Sequence, residues 1–191
     1  MTKTNIAPAS GKLGILTPGM GAVATTFIAG VYAVNKGLSK PIGALSQMGR
    51  IRIGKRTEIS KPLIKDVVPL QDLNDVVFGG WDVFDDNVYE AAVHAGVLDV
   101  NTLEALKPEL SAIKPMKAVF DKNYVKRLNG THIKEGTNKM ELAKAVMTDI
   151  ENFKKENGCD RIVMVWCGST EIYIEESDVH QTIESLEEGL R

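Results

Sequence analysis

Residues 13–27 constrain the fold of this chain more than any other stretch. A short apolar run, residues 13–16, ends at Thr17-Pro18 and is followed by Gly19, Met20, Gly21, Ala22, Val23 and Ala24. The pattern is G-x-G-x-x-A, the alanine-ended form of the dinucleotide-binding fingerprint, and each residue type has a mechanical reason. Gly19 permits a tight turn out of a strand, Gly21 keeps side-chain atoms away from a pyrophosphate, and Ala24 lets a helix pack close to that strand. The amides at the helix start then face the negative charge of a ligand. The same residues also suit a close-packed strand–helix turn that holds no ligand. The strand before and the helix after are the context that the fingerprint requires.

The rest of the composition sets boundaries on what that turn can belong to. A chain of 191 residues with 43% hydrophobic and 25% charged residues can bury the core of one fairly large domain. Cys159 and Cys167 are the only cysteines, which excludes a disulfide framework. With no signal peptide, the expectation is a reducing, cytoplasmic setting. The apolar stretch 22–34 is broken by Thr25, Thr26 and Gly30 and is too short for a membrane span. Residues 1–12 are polar and read as a flexible tail.

Net charge is −2, but the first 57 residues hold eight Lys or Arg and no acid. A positive field around the glycine turn would favour a phosphate-bearing ligand; equally, these cations could serve only to solvate a tail and a loop. Nucleic acid is a poor partner for a chain that is acidic overall and does not interleave aromatic with basic residues.

Taken in order, residues 22–35 read as a helix buried on several faces and ended by Lys36-Gly37. Residues 43–47 suit a second strand, and Arg50-Ile51-Arg52-Ile53 alternates as an exposed strand does. Residues 76–78 form a compact apolar strand, with Gly79-Gly80 freeing the backbone beyond its end and Asp82 landing at its carboxyl side. Ligands of open parallel sheets bind at that side, so Asp82 is a candidate for a ribose hydroxyl, or else a turn acid. The fingerprint ordinarily places its acid about 20 residues after the glycines, and this chain has none there.

Asp85 or Asp86 can cap the next helix, and His94 sits near its end as a C-terminal cation. Thr102 can cap a short helix stopped by Lys107-Pro108, and residues 116–120 suit a third parallel strand. Residues 121–137 are a polar loop in which His132 reads as a bystander. Asn138 with Glu141 resembles a capping box before a helix striped by Leu142, Val146, Ile150 and Phe153. Residues 161–166 form one run, apolar from Ile162 to Trp166, as in a strand covered on both faces. Cys167 at its end is read as a small hydrophobe or a backbone contact rather than a reactive thiol, since no histidine lies nearby. A helix from Asp178 carries Val179, Ile183, Leu186 and Leu190 on one face. Strands alternating with helices give an α/β fold with a doubly wound, mainly parallel sheet of the Rossmann type.

Gly19-Met20-Gly21, Gly43-Ala-Leu-Ser-Gln47, Gly80-Trp81-Asp82-Val83 and Val165-Trp166-Cys-Gly-Ser-Thr-Glu171 together resemble the amino-terminal half of myo-inositol-1-phosphate synthase, in order along nearly the whole chain from Leu13. The sequence departs from eukaryotic members at Ala22-Val23, which would be Asn-Asn, and at Cys167 to Thr170, which would be Thr-Ala-Asn-Thr. It looks like a divergent prokaryotic-type member.

The resemblance implies an isomerase that uses NAD to convert glucose 6-phosphate to myo-inositol phosphate by oxidation, enolisation, aldol closure and reduction. It implies that Gly19, Met20, Gly21, Ala22 and Val23 cradle the pyrophosphate and that Asp82 holds the adenosine ribose. Ala118 and Val119 would flank the adenine, and Cys167, Gly168, Ser169 and Thr170 would line the far cofactor contact. Family members are longer; their glycine-serine-proline motif, lysine cluster and tetramer-forming sheet have no match here. The expectation is therefore a cofactor-binding part with no catalytic residue and no metal ligand of its own, assembled as a homo-oligomer and away from membranes. Residues 13–177 would form the NAD-binding domain, and 178–191 would begin a helix leading to a catalytic domain absent from this sequence. A free-standing NAD-binding sensor and an α/β interaction protein without nucleotide remain as alternatives.

Overall fold

A computed structural model describes residues 10–169 and 173–191. Four parallel strands, β1 (Lys12–Pro18), β2 (Val76–Asp82), β3 (Met116–Lys117) and β4 (Cys159–Met164), lie in the order β3-β2-β1-β4. Among the described residues six α-helices accompany them: α1 (Ala22–Asn35), α2 (Leu45–Met48), α3 (Val88–Ala95), α4 (Val100–Ser111), α5 (Lys139–Glu156) and α6 (Ile183–Leu190). β1 sits centrally, pairing Leu13 to Val76 and Pro18 to Trp81 on one side and Leu13 to Arg161 on the other.

The sheet is covered on both faces, as a doubly wound fold requires. On one face Phe78 meets α1, its ring edge-on to Phe27 and Tyr32 at centroid distances of 5.5 and 5.8 Å. The core continues through Ile28, Ala29, Val88, Ala92, Leu103, Leu106 and Leu110, which binds α1, α3 and α4 together. On the other face α5 lays Phe153 over Gly14 and Gly79. A Cβ at Gly79 would lie 2.5 Å from that ring. On the opposite side of the strand, a Cβ at Gly80 would lie 2.2 Å from the Thr17 carbonyl oxygen and 2.6 Å from its hydroxyl. Gly79 and Gly80 are thus inside β2, not past its end: neighbours on both faces occupy the space where side chains would be.

Several local expectations change for similar reasons. Residues 43–47 do not form a strand. Gly43 (φ +89°) turns the chain, and Gln47 and Met48 return hydrogen bonds to Ala44 in the short helix α2. Arg50 to Ile53 finds no sheet and pairs only across a narrow loop, through an Arg50–Leu63 bridge and bonds from Ile51 to Pro62 and from Ile53 to Ser60. The cap of α3 is Asn87, in a reciprocal box with Glu90, rather than Asp85 or Asp86. Asp99 caps α4, accepting from the Thr102 amide. That helix runs through Pro108 because Leu106 and Leu110, both fully buried, hold the turns on either side of it.

The strand expected over residues 116–120 is cut to two residues because β2 ends at Asp82; Ala118 pairs instead with Ile133. At α5, Asn138 accepts from the Glu141 amide, but the Glu141 carboxylate reaches Thr137 rather than Asn138. β4 lies at the sheet edge, and Val163, Met164 and Val165 are exposed, not covered on both faces. The helix expected from Asp178 is a single 3-10 turn, Asp178–His180, before α6 begins under its own cap, Thr182. Residues 178–191 keep Ile183 72% exposed.

Residues 36–75 leave α1 and return to β2 at the amino-terminal end of the sheet. Asn35 donates to the Leu73 carbonyl there, and Gln71 to that of Gly11. The basic run Arg50 to Arg56 thus belongs to a segment whose two ends are anchored at the edge of the sheet away from the glycine turn. Two surface hollows, of about 490 and 530 Å³, also lie at this amino-terminal end: one beside Asn35, Gln71 and Leu73, the other beside Gly158 and Cys159.

Candidate dinucleotide site

At the carboxyl edge of the sheet the chain leaves β1 through Gly19. Its φ is +87°, a conformation that glycine adopts without steric penalty. A Cβ there would lie 2.9 Å from the Cys167 carbonyl carbon and the Gly168 nitrogen. The tail of β4 thus presses against the turn, held by the Val165 amide on the Leu16 carbonyl and the Cys167 amide on that of Pro18, both at 2.9 Å. The Gly19 amide donates to the Trp81 carbonyl at 2.9 Å. The turn is therefore clamped between its two neighbouring strands.

Gly21 is different. Its φ is −80°, and a Cβ there would meet nothing within 4 Å. It is the N-cap of α1 and has no side chain with which to cap it; the first turn of the helix carries no acid. The first helical bond joins the Thr25 amide to the Gly21 carbonyl at 3.0 Å, so the amides of residues 22–24 have no helical acceptor. Gly21, Ala22 and Val23 are exposed, whereas Ala24 is fully buried against the sheet. The result is an open ledge with the positive end of a fourteen-residue helix directed at it.

Asp82 ends β2 beside this ledge. Its Oδ2 accepts from the Met20 amide at 2.7 Å and its Oδ1 from the Phe84 amide at 3.1 Å. Since β2 pairs directly with β1, Asp82 stands where the fingerprint acid belongs in space, although residues 36–75 displace it in sequence. The Met20 side chain is buried and its amide is taken by Asp82, so Met20 shapes the turn from beneath. Ala118 and Val119 follow β3, which pairs Lys117 with Asp82; Ala118 is half-buried and Val119 exposed. They continue the carboxyl edge of the sheet beyond Asp82.

On the opposite side of Gly19, Cys167 and Gly168 are half-buried and Ser169 is exposed. Thr170 lies outside the described residues. Burial pushes the Cys167 thiol above its ordinary pKa, which keeps it protonated and unreactive at neutral pH. His132 is a structural residue: its Nε2 lies 3.2 Å from the Pro115 carbonyl oxygen, and its amide donates to Val83.

One cluster was not visible in the sequence. The Trp81 indole N–H donates to Asp149 Oδ2 at 2.7 Å, and the Lys134 ammonium lies 2.7 Å from the same oxygen. The available signal was Trp81 itself, since a buried indole N–H needs an acceptor and α5 is the facing element.

These features together define a Rossmann-type dinucleotide-binding domain. The family model for myo-inositol-1-phosphate synthase matches residues 13–191. Inositol-3-phosphate synthase 1 of Bacteroides thetaiotaomicron is 52% identical over 190 residues, covering 99% of this chain and 44% of that protein. Isozyme 1 of Arabidopsis thaliana is 34% identical over 178 residues, covering 85% and 34%. The crystal structure of inositol-3-phosphate synthase from Caenorhabditis elegans superposes with a TM-score of 0.83 at 24% identity, over 94% of this chain and 39% of that one, and so shares the fold.

The chain belongs to the myo-inositol-1-phosphate synthase family and is homologous to its NAD-binding domain. It spans less than half the length of these relatives. NAD is the cofactor that this domain family implies, and the open, uncapped start of α1 fits its pyrophosphate.

Proposed function

We propose that the chain is the NAD-binding portion of an inositol-3-phosphate synthase, an isomerase that converts glucose 6-phosphate to myo-inositol phosphate. The observation that carries this reading is the free amide end of α1, opening between Asp82 and the Cys167-Gly168 backbone. Gly21, Ala22 and Val23 receive the pyrophosphate at the open helix start, with Gly19, whose amide is held by the Trp81 carbonyl, and Met20 forming the turn that cradles it. Asp82 accepts from the adenosine ribose with lone pairs left over from its two amide bonds. Ala118 and Val119 flank the adenine, and Cys167, Gly168, Ser169 and Thr170 line the far contact.

NAD, when bound, supplies a hydride acceptor whose reduced form returns the hydride later in the same turnover. This chain's residues bind and orient the cofactor. Among the described residues at the ledge, the Cys167 thiol is held neutral, His132 is engaged with backbone, and the Asp82 carboxylate already accepts from two amides. We therefore assign the sugar-phosphate and enolate chemistry to parts of the family polypeptide outside these residues. Two free thiols support a reducing, cytoplasmic location. The exposed Val179, Ile183 and Leu186 support a homo-oligomer.

Calorimetric titration of the 191-residue chain with NAD, NADP and ADP-ribose tests the cofactor assignment. The expected result is one NAD site with weaker NADP binding, because Asp82 repels a 2′-phosphate. A folded chain that takes up neither NAD nor ADP-ribose refutes the assignment. Incubation with NAD and glucose 6-phosphate is expected to yield no inositol phosphate, and sustained product would place the catalytic groups within this chain.

A further inference from the structure

We propose that Asp149, on α5 and away from the ledge, is a positioning residue that holds two walls of the cofactor site in register. The inference rests on the NAD-binding reading above. Asp149 Oδ2 receives both the Trp81 indole N–H and the Lys134 ammonium, each at 2.7 Å. Trp81 is 5% exposed, and the Lys134 and Asp149 side chains are 14% and 20% exposed. All three groups are thus largely withdrawn from water, where an ion pair is weakly screened and removing one partner strands the other charge.

Each donor leads to one wall. The Trp81 carbonyl receives the Gly19 amide, and the next residue, Asp82, receives that of Met20. Fixing the indole therefore fixes the strand end on which the glycine turn and the ribose acid both hang. Lys134 leads to the other wall: its amide donates to the Ala118 carbonyl at 2.8 Å, and Ala118 returns a bond to His132. The neighbouring residues Thr131 and His132 bond to Val83, just past Asp82. One carboxylate oxygen thus joins the pyrophosphate-ribose side to the adenine side through a helix on the outer face of the sheet.

Asp149→Asn keeps an acceptor for the indole but removes the charge facing Lys134, and Lys134→Gln removes the cation. In the full 191-residue chain, each is expected to weaken NAD and ADP-ribose by the same factor, tenfold or more, in calorimetry well below the melting temperature. The double variant is expected to be no weaker than the worse single variant, because both changes break one link. The Trp81 indole N–H resonance is expected to shift in Asp149→Asn.

Folded variants that lose thermal stability but bind NAD within twofold of the parent would show a purely structural residue and overturn the proposal. Multiplicative losses in the double variant would also overturn it. Should Asp149→Asn not fold, Lys134→Gln decides alone, by the same affinity criterion. Failure of the parent chain to bind NAD refutes the cofactor assignment itself; binding by the parent and equally by the variants refutes only the role of Asp149.

Discussion

The two glycines of the fingerprint are expected to fail in opposite ways, and Gly21→Val isolates the ligand. Gly21 has φ −80° and ψ −150°, an extended conformation open to valine, and its Cβ would meet nothing within 4 Å. Replacing glycine stiffens the unfolded chain, a gain of about 0.4–1 kcal/mol. Valine is a poorer N-cap than glycine by about 1 kcal/mol. The two terms nearly cancel, so the melting temperature is expected to move by no more than about 4 °C.

The bound state responds differently. The isopropyl group would stand where an anion approaches the amides of residues 22–24. Hydrogen bonds to charged groups contribute about 1.5–3 kcal/mol each. Losing two weakens binding by about 3–6 kcal/mol, roughly 10²- to 10⁴-fold. Calorimetry with NAD and thermal melts of the same preparations measure both quantities. An affinity within threefold of the parent, in a variant that melts normally, would show that no phosphate rests on this turn. Gly19→Ala reverses the pattern. With φ +87° and a Cβ 2.9 Å from the Cys167 and Gly168 backbone, it combines a left-handed penalty of about 1–2 kcal/mol with forced separation of β4 from the turn. The melting temperature of that variant should fall by several degrees before any ligand is added.

Asp82→Asn keeps an acceptor for Met20 but removes the charge, so the preference for NAD over NADP should shrink about tenfold; an unchanged ratio of the two affinities would separate Asp82 from the ribose. Phe153→Ala empties the space above Gly14 and Gly79 and should destabilise the fold by about 2–4 kcal/mol, read from urea unfolding. A smaller loss than for an exposed α5 position such as Met147→Ala would contradict the packing described. Acid should destabilise the chain. Backbone bonds from Asn74 and Thr137 lower Asp72 and Glu141, and the Thr102 and Tyr89 hydroxyls lower Asp99 and Glu104, while Lys36 lowers Glu109. Their folded pKa values lie below the unfolded ones, so their stabilisation is present above about pH 4–5 and is lost as pH falls through the depressed folded values. Melting temperatures that stay level from pH 7 to pH 3 would contradict this.

The glycine turn was legible in the sequence because its demands are local. A positive φ at Gly19, a helix beginning at Ala22 and a stop at Lys36-Gly37 each follow from one or two residues. Asp82 was legible as an acid at a strand end, but its sequence spacing argued against it. Only the strand order, which sets β2 beside β1 across a long insertion, brings it next to the glycine turn. Gly79-Gly80 misled because glycine pairs usually punctuate; here the need for them comes from Phe153 and Thr17, which no local window contains. Asp149 was invisible for the same reason: the indole that it accepts from is 68 residues away along the chain. The apolar run before Cys167 overlaps β4 over residues 161–164, whereas its exposure depends on edge placement, a property of topology rather than of composition.

The consecutive glycines of β2 also bear on how the domain assembles. Glycine resists extended structure through its large unfolded-state entropy, so this strand has little tendency to form before its neighbours are present. Its order depends on β1 on one side and on the docking of α5 across the outer face. The acid at its end is consequently set in place only when distant parts of the chain have converged, which ties the ligand edge to the most cooperative unit of the molecule. Amide protons of β2 should then exchange only through global unfolding, and a ligand that captures the assembled edge should slow exchange across the whole sheet by one common factor.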